Sequence, residues 1–259
     1  MLFYSKEQNN MLVRGAVQKL QREYGAFWKG HMDNSLNQLT YERLKKDILT
    51  FTLKPGDTVS AEKVAKRYEV SRTPARESLV KLETEGLVDI IPQSKSVISK
   101  IDLNRARQEW FVRKSLEMAM LDKVFENVKS KDITRMKKYN DQMLKLADKS
   151  RGCSPDEAAQ ASYEYLMADN AFHEVTYEVA GESLASSVIA NTRAHYSRLR
   201  FLTEQNSKYR DRTLSGHSEL IAFLKEGDKA GYRKALTTHL DHIIHDIDDL
   251  KEIYPDYFI

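Results

Sequence analysis

A single cysteine, Cys153, in a chain of 259 residues excludes an internal disulfide and any thiolate metal cluster. A chain built without disulfides suits the cytoplasm. Long hydrophobic runs are absent: nothing approaches the roughly 18 apolar residues that would span a bilayer. The opening Met1-Leu2-Phe3-Tyr4-Ser5 soon meets Lys6, Glu7, Asn9 and Asn10, which is not the basic, apolar, small-residue order of a secretory signal. Proline and glycine are sparse, at 5 and 10 residues, and neither a low-complexity linker nor a fixed-period repeat can be read. What remains is a soluble globular composition, 41% apolar and 31% charged, long enough for two domains. Charge of one sign is scarce overall (+3) but unevenly placed. Residues 1–31 and 32–100 carry the basic excess, and residues 101–259 are slightly acidic. Such a division fits a nucleic-acid module joined to something else, and ordinary scatter would also produce it.

Val13, Val17, Leu20, Tyr24 and Phe27 follow helical spacing, so an amphipathic helix ending near Gly30 is expected. This 1–31 extension has no assignable role, and Met32 would also make a sensible start. Within 32–100 the pattern predicts a helix over 38–51 with Tyr41, Leu44 and Ile48 on one face, then a turn at Lys54-Pro55-Gly56-Asp57. A short helix capped by Ser60 follows, carrying Val64, Ala65 and Tyr68. Another helix is capped by Ser71 or Thr73, has Pro74 in its first turn, and turns Leu79, Val80 and Leu82 toward a small core. Leu87 to Ile91 reads as a strand, 92–96 as a turn, and Val97-Ile98 as a returning strand. From Asp102 onward six amphipathic helices are predicted, over 102–128, 131–149, 154–180, 182–205, 211–226 and 228–252. Their punctuation is Gly152, Pro155, Gly181, Ser207, Gly227-Asp228 and Pro255. The expected fold class is mainly α: an N-terminal winged helix-turn-helix followed by an all-α antiparallel bundle.

The helix after Val70 would present Ser71, Arg72, Thr73 and Arg76 at its N-terminal end. Backbone N–H groups there favour a phosphate, and an arginine fork can reach guanine O6 and N7 in the major groove. Residue chemistry alone leaves an ordinary surface helix with two arginines equally open. The run Val70-Ser71-Arg72-Thr73-Pro74-Ala75-Arg76-Glu77, followed by Leu82-Glu83-Thr84-Glu85-Gly86-Leu87 and preceded by Ile48 and Pro55-Gly56, resembles the DNA-binding half of the GntR family of bacterial regulators. The likeness covers about 60 residues. It implies that Arg72 and Arg76 are the main DNA contacts and that Ser71 and Thr73 hold phosphates. Two departures stand out. Glu62, beside Lys63, occupies a position that is basic in some relatives. Ser94-Lys95 replaces the Arg-Gly pair of many wing tips, leaving Lys95 to meet minor-groove phosphates.

A second constellation lies further on. Asp169 and His173, four apart on one helix, share a side. His217 and His239 lie on the last two helices. Three imidazoles and a carboxylate from three helices would suit Zn²⁺, Ni²⁺ or a similar divalent ion. Packed or surface histidines would read the same. The helices resemble the FCD effector domain of the FadR-like subfamily, whose metal-binding members show Asp-x-x-x-His, a histidine opening a helix, and a histidine before Leu in the last helix. Asp169-Asn170-Ala171-Phe172-His173, His217 ahead of Leu220, and His239-Leu240 fill those positions. The resemblance implies a divalent metal on Asp169, His173, His217 and His239. His242 and His245 match no ligand position. The resemblance also implies that Arg113, four residues before Glu117, turns inward to pair with an effector carboxylate, where local spacing alone gives a surface ion pair. Arg198 and Arg200 are further candidates for that cavity, and Glu182 stands where an asparagine is usual.

Together these imply a cytoplasmic repressor-type regulator of a metabolic operon, acting as a homodimer on a double-stranded, pseudo-palindromic operator. Its affinity for DNA would be set by a small organic acid bound near the metal. Three alternatives stay open: a metal-free regulator sensing an acyl ligand, a metal-dependent hydrolase using Glu174 or Glu178 as base, and a structural scaffold.

Overall fold

The structure, a computed structural model, describes residues 36–91, 95–150 and 153–259. The helix expected in 1–31, the turn residues Pro92, Gln93 and Ser94, and Gly152 lie outside them. The architecture is mainly helical, a winged helix-turn-helix followed by a helical bundle.

The N-terminal unit runs α1 (Leu36–Leu49), β1 (Thr58–Val59), α2 (Ala61–Tyr68), α3 (Arg72–Thr84), β2 (Val88–Ile90) and β3 (Ser96–Ile98). Tyr41, Leu44 and Ile48 bury against Val64, Leu79, Leu82 and Leu87, one contiguous core. Truncating any of the leucines to alanine would cost about 2–5 kcal/mol. Ser60 caps α2 by accepting from the Lys63 amide at 3.2 Å. The strands form an antiparallel sheet in the order β1-β3-β2, with Thr58 opposite Val97 and Val88 opposite Ile98. Strand β1, two residues long, is too short to leave a periodic trace in the sequence.

One expectation fails on α3. Val80 does not face the core but is 46% exposed. Ala75, Ser78, Leu79 and Leu82 make the buried stripe, and Val80, about 100° round from Leu79, falls off it onto the side of Arg72 and Arg76.

The second unit comprises α4 (Leu103–Ala119), α5 (Leu121–Asn127), α6 (Ser130–Lys149), α7 (Pro155–Ala180), α8 (Ser183–Asn191), α9 (Ala194–Glu204), α10 (Ser207–Glu226), α11 (Lys229–His245) and α12 (Ile247–Ile253). Three expected long helices are therefore each divided, at Met120, at 192–193 and at Asp246. None of these breaks carries Gly or Pro. The second has a tertiary cause: the buried Glu109 carboxylate, from α4, accepts the backbone N–H of Tyr196 at 2.8 Å and so caps a new helix start. Two local signals hold. Gly181 ends α7 at φ 73°, and Asp228 caps α11 by accepting from the Gly231 amide at 2.9 Å.

The two units share a junction. Ile101, in the connecting segment, pairs with Phe258 in a parallel bridge and packs with Leu199, Leu202, Ile243 and Leu250. Ala194, at the start of α9, belongs to the core of the N-terminal unit.

Candidate functional site

The tip of α3 is an open cationic surface. Ser71, Arg72, Thr73 and Arg76 are all exposed. Ser71 takes the N-cap position with extended geometry but its hydroxyl makes no capping bond, which leaves it available to a ligand phosphate. Arg72 Nη2 lies 3.2 Å from Glu62 Oε2, with both side chains about three-quarters exposed. The acidic departure on α2 thus touches the arginine of α3. Lys63 donates to the Thr58 carbonyl at 3.1 Å, and Lys95 is exposed on the wing. Val80 continues the face of Arg72 and Arg76 at i, i+4, i+8 spacing, a feature readable in the sequence and missed there.

The interior of the bundle holds a different kind of site. One ligand atom each from Asp169, His173, His217 and His239 fits within 4.8 Å of the others. Helix α7 supplies the first two, α10 the third and α11 the fourth. His173 Nε2 faces His239 Nε2 at 3.3 Å, and His217 Nε2 lies 3.3 Å from Asp169 Oδ1 without hydrogen-bond geometry. Both ring nitrogens of His217 and Nδ1 of His239 are buried and have no hydrogen-bond partner among the described residues. Orphaned buried nitrogens are costly, and a divalent cation would engage those that point into the cluster. The donor set, three imidazoles and one carboxylate, fits such an ion. Burial pushes the His239 imidazole well down, with His217 and His173 adding to the effect. His217 is also lowered by burial, although Asp169 opposes it. Both rings are therefore held neutral, the state a metal requires. Burial pushes the Asp169 carboxyl up, but Arg200, His217 and His173 outweigh it and keep the group ionised.

Around this cluster lies a ring of supporting groups. Glu117 Oε2 is 3.0 Å from His173 Nδ1, while Glu117 Oε1 accepts from Arg113 at 2.7 Å and from the Tyr177 hydroxyl at 2.6 Å. A carboxylate on the far nitrogen fixes the tautomer and leaves Nε2 free for a ligand role. Arg113 and Glu117 are 5% and 4% exposed, so the pair is not the surface ion pair that local spacing allows. Arg200 donates to Asp169 Oδ2 and, at 2.8 Å, to Asn170 Oδ1. The guanidinium carbons of Arg113 and Arg200 sit 5.7 and 5.8 Å from the Tyr196 ring centre.

A model of the bacterial regulatory proteins of the gntR family matches residues 36–98, and a model of the FCD domain matches residues 110–242, about half of the chain. The chain is a bacterial GntR-family transcriptional regulator with an FCD domain. It is 25% identical over 224 residues to the HTH-type transcriptional repressor RspR of Escherichia coli K12, covering 86% of this chain and 93% of that one. It is 28% identical to an HTH-type transcriptional regulator in an unstable DNA locus of Streptomyces ambofaciens, over 84% of this chain and 87% of that one. Among solved structures, E. coli McbR/YncC superposes with a TM-score of 0.66 at 18% identity, over 85% of this chain and 99% of that one. A GntR regulator from Rhodococcus sp. RHA1 gives 0.62 at 17%, over 85% and 98%. These relatives are regulators, not enzymes. In keeping with that, the two carboxylates considered as hydrolytic bases are engaged elsewhere, Glu174 by Ser186 Oγ at 2.6 Å and Glu178 by Arg135 at 2.8 Å.

Within the regulator, the structure separates the two further arginine candidates. Arg200 joins the cluster. Arg198, two residues away on α9, points elsewhere: it is fully buried and donates to the carbonyls of Ser99 and Lys100, at 2.6 and 3.3 Å, and lies 2.9 Å from His195 Nδ1. The physical reason is helical phase, because residues two apart lie about 200° round the axis. Arg198 therefore belongs to the junction between the regulator's two units. His195 joins it there, accepting from the Asp102 amide at 3.0 Å. A side chain at Gly86 would meet His195 Nε2 at 3.1 Å. Glu182 pairs with Lys123 on the surface, His242 is part-buried and His245 is exposed; none of the three enters the cluster. Gly216, unnoticed in the sequence, matters to the site. A Cβ there would stand 2.9 Å from His239 Nδ1, so this helix-interior glycine makes room for the ring. No helix among the described residues is long and apolar enough to cross a membrane.

Proposed function

We propose that this regulator governs a metabolic operon from the cytoplasm, as a homodimer whose operator affinity responds to a small carboxylate bound beside a divalent metal. The observation that carries this reading is the quartet of Asp169, His173, His217 and His239, three of them buried and the fourth half-buried, in which the ring nitrogens of His217 and Nδ1 of His239 have no hydrogen-bond partner among the described residues. Those four residues would hold the ion, Zn²⁺ or Ni²⁺ by the softness of the donors. When bound, the ion supplies Lewis acidity toward a ligand oxygen. The chain's own residues do the rest. Glu117 orients His173, and Arg113 and Arg200 present guanidinium groups to an acid. On the DNA side, Arg72 and Arg76 read base edges, with Ser71, Thr73, Lys63 and Lys95 on phosphates.

Helix α9 supports a route between the two sites. Arg200 and Tyr196 face the cluster, while His195, Arg198 and Leu199 grip the segment that leads out of the wing. A ligand that binds differently to two settings of α9 would bias the placement of the DNA-reading helices. The test is metal analysis of protein purified without a nickel column, together with operator binding before and after chelation. We expect about one divalent ion per chain and none in His217→Ala. Full metal in that variant would refute the ligand set, and a metal-free protein that still responds to acids would point to the acyl-sensing alternative.

A further inference from the structure

The winged unit is held to the bundle at two separate points, and both involve α9. The first is Arg198, a side chain with 0% exposure and no carboxylate bonded to it among the described residues. Its Nη1 donates to the Ser99 carbonyl at 2.6 Å. Its Nη2 reaches Ser99 Oγ at 3.2 Å, the Lys100 carbonyl at 3.3 Å and His195 Nδ1 at 2.9 Å. Ser99 passes the contact on: its hydroxyl donates to the Gly86 carbonyl at 2.7 Å and its amide to the Leu87 carbonyl at 3.1 Å. Gly86 and Leu87 follow the end of α3, the helix that carries Arg72 and Arg76. The His195 ring closes the same corner, in the space that a side chain at Gly86 would need. The second point is Phe51, just beyond α1. Its ring stacks on Tyr257, with centroids 5.0 Å apart and planes 9° apart, and meets Phe201 of α9 at 5.8 Å. Its backbone is left-handed, φ 56°, a conformation that a bulky side chain takes only where its surroundings impose it. Both points are expensive for a mere packing contact. A buried guanidinium met only by neutral groups costs desolvation, and glycine would take the left-handed backbone without strain. What they supply is direction, because a hydrogen-bonded fork and a stacked ring each allow one orientation where apolar surfaces could slide.

We propose that Arg198 and Phe51 are positioning residues for DNA reading: they fix the angle of α3 to the bundle, and so select the half-site spacing that the regulator accepts. The inference rests on the reading of the chain as a dimer on a pseudo-palindromic operator. Arg198 and Phe201 lie three apart on α9, on one side of the helix. Two anchors stop a pivot about the connecting segment that one anchor would permit. Each base pair added between half-sites moves one target by about 3.4 Å and turns it by about 35° round the DNA axis, which two rigidly mounted helices cannot follow. Freed at the junction, each winged unit swings and tolerates several spacings. Neither Arg198 nor Phe51 belongs to the exposed tip of α3 or to the metal quartet. They therefore change the spacing rule without changing what each half-site presents to Arg72 and Arg76.

The experiment selects a half-site from random DNA with the full chain. It then measures affinity for that half-site alone and for inverted repeats whose spacer is stepped by single base pairs through about one helical turn. For the wild type we expect one spacing to be preferred by about tenfold or more over its neighbours roughly two base pairs away. In Arg198→Met, of similar length and apolar, that preference falls below about twofold while affinity for the single half-site is unchanged. Phe51→Gly, which suits the left-handed backbone and removes only the ring, does the same, and Ser99→Ala, which cuts the link to Gly86, lowers the preference part-way. Thermal melting identifies the folded variants, and Phe51→Gly and Ser99→Ala decide the matter should Arg198→Met fail to fold. Folded variants that keep the wild-type preference overturn the inference. So does an equal loss on the single half-site and on the repeat, which would make the junction a support for folding of α3 alone. A wild type that gains from a second half-site equally at every spacing overturns it too and leaves the dimer standing. If the second half-site adds nothing at any spacing, the dimer reading itself falls, and the inference with it.

Discussion

The arginines at the tip of α3 and those inside the bundle are the same residue in opposite circumstances. Arg72 and Arg76 stand in water, where a guanidinium costs nothing to keep charged and an ion pair with Glu62 contributes about 0–1 kcal/mol. Arg113 and Arg200 are stripped of water and held by carboxylates from their own or a neighbouring helix. The contrast teaches where each site keeps its specificity. The tip waits for an external partner to complete it. The interior is already assembled, so that a change in one group is felt by its neighbours at once.

The comparison can be broken first at Asp169. Asp169→Ala leaves Arg200 as a buried charge without its carboxylate, and a loss of about 3–5 kcal/mol is expected in chemical denaturation. A loss below about 1 kcal/mol would mean that the interior behaves like the surface. At the tip, Arg72→Ala should leave stability unchanged and cost about 1–3 kcal/mol in operator binding, with relaxed preference at one base pair. Competition binding at fixed salt measures this, and equal affinity for all sequences in wild type and variant would remove Arg72 from the base-reading set. Between the two regions lies His195. Burial, with Arg198 beside it, holds its imidazole down to about 3 against an ordinary 6.5. The unfolded chain takes up a proton below about 6.5 that the folded chain refuses. Stability is therefore complete above that pH and declines as pH falls toward 3, by about 1 kcal/mol near pH 5.5. Urea titrations at pH 7.5 and 5.5 check it, and the decline should be smaller in His195→Phe. The smallest effect belongs to Glu62→Gln. It releases Arg72 from a weak surface pair and should raise DNA affinity by at most about 1 kcal/mol, with stability unchanged. A weaker complex would show that Glu62 positions Arg72 for its base.

The sequence announced the parts of this fold that are governed by local chemistry. Ser60 caps a helix, Gly181 ends one and Asp228 starts one, each because the side chain or its absence acts within four residues. The run from Ser71 to Arg76 and the pair Asp169 and His173 each lie on one helix, yet their chemistry alone left a surface helix and packed histidines open, and it was the resemblance to a known family that singled them out. What stayed hidden was tertiary. The cap that Glu109 gives to α9 crosses 87 positions in the chain, so the break before Ala194 had no local mark. The inward turn of Arg198 toward Ser99 follows from helical phase, which is uncertain when the start of the helix is misplaced. Gly216 read as an unremarkable helix residue until His239, 23 positions later, was seen to fill the space above it.

That α9 serves two faces has a consequence for anyone who would exchange parts between such regulators. The segment joining the units is a natural place to cut, yet the groups that hold it come from far along the chain: Arg198 and His195 on Ser99 and Asp102, His195 against Gly86, and Phe258 alongside Ile101. A chimaera that grafts a new DNA-reading half onto this bundle at residue 100 would inherit a grip shaped for a different hand. To keep these contacts, the graft must carry Gly86 and Ser99 with it, or redesign α9 to match.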